Sequence, residues 1–599
     1  MPYPAAVVEI AFTDGPYVVG PTWTDVTPYV REMQISRGVS DDWQLVADGL
    51  ATVVLSNRDR RFDPFNITGP YYGNLLPRRQ IRIRATYSGT TYDVFRGFIS
   101  GWPPEWTDAG YDSTVTLSCF DALQLLGSSS LPADWSRDYI LSQSPRHYYP
   151  CDEPVIPYTG TTILKDYGSV PLNITASTTA INGGELAEGL AGNSIQASVT
   201  SAGISDQGAV GANTNFSVSM WAIMDSTTAT TGGTVGQYTW SIGWNPATGR
   251  YIVEIGDFPA GLTRTFTSSN TFDGSQPTHV AFSFNVTSKA LVLMVDGLVA
   301  ATTVATAGAI IVVLYEIVQL GTGQFQQICV WNGLIAQATV QEIINRSKAN
   351  FVETTTARFN RIIATTPFSA SLTSAPASPA SGVIDITNNA PTVSSELAKV
   401  ADSEYAPLFV NKTGTITQYQ QNQIRTQTKS IVSQATYGSG GLPIGTDVQL
   451  QYDGDSMRNI ANIQMSGGGV YIQEATNIST YGEAEQYVGT QVSSLADAVD
   501  IATIVDGWGS QVYAKASPVQ VVLSPNQNWA STLGLELWDR FTLVVQPRTG
   551  SAITRAMLTS RISHSVTPER WSTTLEGSAR WAAVFILNQS TLGGTDLLG

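Results

Sequence analysis

The chain has 599 residues, of which 13% are charged, and a net charge of −16. Low charge combined with 53 Gly, 29 Pro, 14 Trp and 24 Tyr excludes a disordered chain, which needs high charge and few aromatics. It also excludes a coiled coil or helical bundle, which needs Glu, Lys, Arg and Leu. An acidic surface gains nothing from counterion release, which argues against a reader of duplex DNA but suits a channel through which DNA slides.

From Met1 to about Leu141 a period-two pattern dominates, the mark of half-buried antiparallel strands. Met33 and Ile35 share one face, as do Ala51, Val53 and Leu55, and Ile81, Ile83 and Ala85 oppose Arg82 and Arg84. Turn clusters at Asp63-Pro64 and Gly69-Pro70 separate the strands. A short helix is predicted over Ala122 to Leu126, stopped by Gly127. The stretch reads as a small barrel, residues 1–142.

Residues 143–350 change texture, with polar Gly, Thr, Ser and Ala loops around strong strands. Phe216, Val218 and Met220 alternate with Ser217, Ser219 and Trp221, and Val280, Phe282 and Phe284 alternate with His279, Ala281 and Ser283. Leu291 to Val295 is apolar on both faces, as in a strand between two layers. A closing helix over Thr339 to Arg346 groups Val340, Ile343 and Ile344. This block reads as a β-sandwich.

Residues 351–440 form a linker (Ser371 to Ser381) and a small α+β domain. Its helix opens at Ser394 with Leu397, Val400, Ala401 and Tyr405 on one stripe, and a hairpin follows from Tyr405 to Thr417. Residues 441–585 return to alternation, seen in Val448, Leu450 and Tyr452, then Phe541, Leu543 and Val545. One helix interrupts it, capped by Ser494 with Asp497 and stopped at Gly507. Residues 586–599 are a C-terminal tail. The fold class expected is mainly β, with two barrels flanking an inserted jelly-roll sandwich plus a small α+β domain.

Three cysteines do not make a disulfide framework, and Cys119 and Cys329 read as small core residues. No signal-type segment precedes Glu9, and the apolar run Ala307 to Tyr315 is far short of the ~20 residues a membrane helix needs. A soluble product of a reducing compartment is expected.

No catalytic, cofactor or metal residue is assigned, and the chain is expected not to be an enzyme. His147, His279 and His564 are dispersed, and no zinc spacing, nucleophile elbow, P-loop or dinucleotide fingerprint occurs. Glu254 and Asp257 have the wrong parity for a glycosidase pair on one strand face, and Asp296-Gly297 reads as a turn. His279 is expected to point outward from the sandwich. Arg58, Arg60, Arg61, Arg78, Arg79, Arg82 and Arg84 form a dense basic stretch with two open readings. One is a solvated face balanced by Asp59 and Asp63; the other is a subunit interface built on Arg forks. Trp240, Trp244, Asn245 and Tyr251 read either as core aromatics or as a sugar platform.

Two segments carry a resemblance. Val53 to Pro64, with Gly69-Pro70-Tyr71-Tyr72 and Leu76 to Ile83, resembles the N-terminal domain of minor tail proteins of actinobacteria-infecting siphophages. Leu397 to Thr417, Arg458 to Asn462, Tyr481-Gly482-Glu483, the helix after Ser494 and Leu537 to Thr542 are similar to the baseplate-hub, or tail-associated, family. Between them, His147 to Glu153, Phe216 to Ala222, Thr278 to Phe282, Leu293 to Gly297 and Val330 to Ile335 resemble the laminin-G-like, concanavalin-A-like jelly roll. Its calcium-binding carboxylates have no counterpart here, and Cys151 stands at a usually aliphatic position.

The resemblance implies a virion tail-tip hub, assembled in the host cytoplasm and without cofactors. It implies a homotrimer whose two barrels per chain make a pseudo-sixfold ring against the distal tail protein ring. The tape-measure protein and other minor tail proteins or fibres are further implied partners. DNA passes through unbound, and the insert is placed to touch host cell-envelope polysaccharide. The alternative is a receptor-binding protein whose main role is adsorption to that glycan.

Overall fold

The structure is a computed structural model. It describes residues 3–578 except 40–42, 108–109, 132–134, 152–161, 177–179, 185–193, 198–213, 225–229, 236–237, 258–260, 301, 310–318, 321–322, 348–349, 369, 373–380, 386–391, 422, 446–447, 453, 455–456, 466–467, 511–513 and 522–526. The chain is mainly β and divides into two units: residues 1–131 with 352–383 and 391–599, and residues 132–351 with 384–390.

In the first unit the period-two residues do what their spacing requires. Val8, Ile10, Met33, Ile35, Ala51, Val53, Leu55, Ile81, Ile83, Val115 and Leu117 are all buried. They line a barrel of six antiparallel strands in the order Ala5–Ile10, Gln80–Tyr87, Thr90–Ile99, Asp112–Phe120, Val46–Ser56 and Val30–Gly38. A second circuit comprises Thr436–Gly438, Arg540–Val545, Ile553–Thr567, Arg570–Ser578 and Ala514–Val521. Bridges from Ile444 to Val521 and from Leu442 to Tyr437 close it, and Gln449–Tyr452 pairs alongside Ala514–Val521.

The two circuits are joined by one strand. Residues 553–558 of Ile553–Thr567 pair with Arg540–Val545 of the second barrel. Residues 561–566 pair with Met33 to Gly38 of the first. The switch falls at a register shift between Thr559 and Arg561. Gly38 faces it with φ +117°, and a Cβ there would sit 2.1 Å from the Ser560 carbonyl oxygen. Only glycine tolerates both that backbone conformation and that approach.

The small α+β region joins the same body. Leu408–Val410 pairs with Ile416–Gln418 and lies parallel to the start of Val46–Ser56. Its helix, Val393–Glu404, is capped by Thr392, whose hydroxyl accepts from the Ser395 amide, rather than by Ser394. Tyr405 lies outside the helix as a left-handed C-cap, φ 47°. Residues 460–509 form their own layer, a sheet of Val470–Glu474, Ile460–Gln464 and Glu485–Gly489 against the helix Leu495–Gly509. Ser494 caps this helix as expected, but the helix runs past Gly507 because Trp508, 2% exposed, is anchored in the core.

The second unit is a two-sheet sandwich. One sheet runs Ala180–Gly184, Ser194–Ala197, Gly323–Asn332, Phe216–Ile223, Thr278–Phe284, Leu291–Val295 and Leu298–Ala300, with His147–Tyr149 also on Gly323–Asn332. The other runs Thr302–Ala309, Leu262–Ser268, Arg250–Asp257, Tyr238–Asn245, Thr230–Val235 and Gln319–Leu320. Phe216, Val218, Met220, Trp240, Tyr251 and Phe282 meet between them. The helix Gln337–Ser347 lies on the outer face of the first sheet, setting Val340 and Ile344 against Trp221, Ala281 and Met294.

Candidate functional site

Two places in the molecule could carry function: the junction of the barrels in the first unit and the surface of the sandwich in the second.

At the junction, three distant segments meet in a buried ionic cluster. Arg37, 5% exposed, comes from the first barrel and donates through Nη2 to Glu536 Oε1 at 2.5 Å and to the Val410 carbonyl at 3.0 Å. Lys412, in the small-domain hairpin, donates its backbone amide to Glu536 Oε2 at 3.0 Å. Its Nζ reaches the Leu533 and Gly534 carbonyls, both at 3.0 Å. These carbonyls end the helix Trp529–Gly534, where the peptide dipoles favour a cation. Burial acts to raise Glu536, but Arg37 and Lys412 outweigh it and hold the carboxyl below its usual range. Neighbouring Asp539 is pushed up to about 6, chiefly by burial. His564, on the shared strand, is pushed down to about 3 by burial, then by Arg37 and Lys412. This arrangement fixes geometry rather than chemistry: every ion is turned on another part of the same unit.

The arginine stretch behaves likewise. Arg82 Nε and Arg84 Nη2 hold Glu9 at 2.6 and 2.5 Å, Arg60 holds Asp63 at 2.6 Å, and Arg61 holds Asp59 at 2.6 Å. Arg58 and Arg31 share Asp112, which they hold well below the carboxylate range, Arg31 contributing first. Arg79 donates to the Asn74 and Asp14 carbonyls. Of the two readings, internal balancing is the one these pairs support; Glu9 and Asp112 were not foreseen because they lie on other strands.

In the sandwich His279 takes the expected outward face, opposite the inter-sheet core residues Val280 and Phe282, but that face is covered. It is fully buried, 5.2 Å from Trp221 in an edge-on contact, with its backbone amide on Asp296 Oδ1 at 3.0 Å. The face it occupies is roofed by the Gln337–Ser347 helix rather than by water. Asp296 (φ 48°) and Gly297 (φ 76°) form the expected turn. Asp257 is not a surface carboxylate: it is 1% exposed and paired with Lys289 Nζ at 2.9 Å, while Glu254 remains exposed. Trp240 and Tyr251 are core residues, and Trp244 Nε1 is tied to the Phe272 carbonyl at 3.1 Å, so this hairpin is no open sugar platform.

Buried His147 binds Asp166 Oδ2 through Nδ1 at 2.7 Å, and the Asp166 carboxylate also accepts from the Tyr148, Gly168 and Leu172 amides, each at 2.8 Å. That network pins a loop. Cys119, Cys151 and Cys329 are buried, and burial pushes the Cys119 thiol up. Among the described residues no His, Cys, Asp and Glu group could hold a metal ion, and no helix is long and apolar enough to cross a membrane.

Residues 196–343 match the family described as the concanavalin A-like lectin/glucanases superfamily, in keeping with the two-sheet sandwich. No curated protein matches the chain. Among solved structures, it is similar to the 43 kDa tail protein of prophage MuSo2 from Shewanella oneidensis, at 10% identity over 97% of this chain and 99% of that one, TM-score 0.41. It is also similar to the tail protein from Neisseria meningitidis MC58, at 8% identity over 96% of each chain, TM-score 0.40. Domain 4 of the arabinanase AbnA from Geobacillus stearothermophilus, solved with arabinotriose, is similar at 16% identity over 34% of this chain and 98% of that one, TM-score 0.19.

Proposed function

We propose that the chain is a structural, non-enzymatic hub of a siphophage tail tip. It joins the tail tube to host-recognition parts and forms the channel that opens for DNA ejection. The observation that carries this reading is the strand Ile553–Thr567, which belongs to two barrels at once. One chain thereby presents two barrel modules in a fixed relation, and three chains present six. That is the arithmetic of a pseudo-sixfold ring set against a hexameric distal tail ring, with the tape-measure protein and fibres as further partners. The net charge of −16 suits a passage that does not hold DNA. The place of action is the virion tail tip, after assembly in the host cytoplasm. Native mass measurement of the full chain and imaging of tail tips should give three copies per tip; a chain that stays monomeric beside a purified tail ring contradicts the reading.

The lectin-like match over residues 196–343 favours a second role, adsorption to host cell-envelope polysaccharide. Three copies would multiply a weak sugar contact through avidity. Retention of the full chain on host cell walls, lost when residues 143–350 are removed from the phage gene, supports that role. Unchanged adsorption of the deleted phage removes it and leaves the hub.

A further inference from the structure

Among the described residues the first barrel is left open along part of one edge of Ala5–Ile10. Ala5–Ile10 pairs along its whole length with Gln80–Tyr87 on one edge, whereas on the other, among the described residues, only Glu9 and Ile10 are paired in strand register, with Asp25 and Thr24. Val8 directs its amide to Thr27 Oγ1 and its carbonyl to the Val26 amide on that second edge. Period two places the amide and carbonyl of Ala6 on the same edge, where no strand among the described residues meets them. A groove of about 430 Å³ opens there, with Pro4, Ala6, Val30, Met33, Val566 and Trp571 among the residues on its walls. A free strand edge over an apolar floor is a template for one more strand.

The sequence contains a segment of matching character. Trp581-Ala582-Ala583-Val584-Phe585-Ile586-Leu587 is seven apolar residues without a charge, Gly or Pro, beyond the last described strand. Such a run needs cover in any stable, soluble state of the chain. Its own groove is a poor match for length. Ser578 pairs with Leu558, at the end of Arg570–Ser578 away from the Thr567↔Arg570 turn that borders the groove. Strand geometry puts roughly 25 Å between the two ends. Trp581 lies three residues past Ser578 and reaches about 10 Å, so only the last few residues of the run could enter that groove. A neighbouring copy's groove carries no such restriction.

We propose that residues 581–587 of one copy of this chain add as a strand to the open Ala5–Ile10 edge of a second copy and close its first barrel in trans. The inference stands on the groove and the segment, independently of any role in a virion.

The test compares the full chain with a chain ending at Ser578 by sedimentation equilibrium. The full chain should associate, and truncation should weaken association roughly 100-fold or more, the loss expected from leaving Val584, Phe585 and Ile586 unburied. Two point variants guard against misfolding of the truncated chain. Val584→Glu spoils the segment and Val30→Glu spoils the groove, and each should dissociate alone. An equimolar mixture of the two retains one intact segment and one intact groove, and should form a heterodimer. Ala6→Cys combined with Val584→Cys should give a disulfide between copies. Three results overturn the proposal: equal association of truncated and full chains, failure of the mixture to pair, or a cross-link only within single chains. A truncated chain that still trimerises removes this proposal and leaves the hub reading standing, whereas a monomeric full chain removes both.

Discussion

The strand Val46–Ser56 of the first barrel alternates buried and accessible residues from end to end, whereas Phe216–Ile223 of the sandwich is buried on both faces except at its last residue. The barrel strand has a core on one side and water on the other, so its sequence carries its orientation. The sandwich strand has a core on one side and the Gln337–Ser347 helix on the other, so its second face is set by residues more than a hundred positions away. The regions also differ in how they bury polar groups. The barrels use ions, in the Arg37, Lys412 and Glu536 cluster. The sandwich sets buried Asp257 against Lys289 as a pair rather than a cluster, and adds paired hydroxyls, as in Ser217 Oγ to Ser283 Oγ at 2.9 Å.

The largest effect should come from the ionic side of this contrast. Glu536→Ala leaves Arg37 buried without its carboxylate and is expected to cost about 3–5 kcal/mol. Calorimetry should show the transition of the barrel unit lowered and that of the sandwich unmoved; a loss under 1 kcal/mol would mean that solvent reaches the cluster. On the sandwich side, Ile344→Ala strips the roof from Trp221 and Met294 and should cost about 2–4 kcal/mol, with the barrel transition unchanged. A near-neutral result would show that the helix is decoration.

Thr392→Ala should cost about 1 kcal/mol by removing the helix cap, while Ser394→Ala should stay within about 0.5 kcal/mol. Equal losses in urea titrations would return the cap to Ser394. The smallest expected effect is one of slope. His564 is held at about 3 in the fold against an ordinary 6.5. Below 6.5 the unfolded chain takes up a proton that the folded chain refuses, so this group erodes stability as pH falls from 6.5 toward 3. His564→Asn should flatten that limb in unfolding midpoints measured across the range, and an unchanged slope contradicts the burial of a neutral ring.

The inward faces of the barrel strands were legible because period two survives wherever one face meets water. Asp296-Gly297, the helix after Ser494 and the apolar face of the Gln337–Ser347 helix were legible for the same local reason: cap, turn and stripe are read within a few residues. What lies between distant residues was not. Arg37 and Glu536 are 499 positions apart, and nothing near either shows that they meet. The outward face of His279 was legible but its burial was not, because alternation alone says which face a residue takes, not what covers that face. The sharing of Ile553–Thr567 was hidden for a similar reason. Its register shift at Ser560 uses no Gly or Pro, and the residue that permits the close approach, Gly38, sits in another strand. Internal balancing of the arginines could be read for Asp59 and Asp63, close in sequence, but not for Glu9 and Asp112.

Because Ile553–Thr567 serves two barrels, its length is constrained twice. Inserting or deleting one residue on either side of Ser560 would turn every side chain beyond that point to the opposite face of one barrel while leaving the other in register. Homologous chains are therefore expected to conserve the spacing across this strand more strictly than its residue types, and to place their length variation in the connecting loops instead.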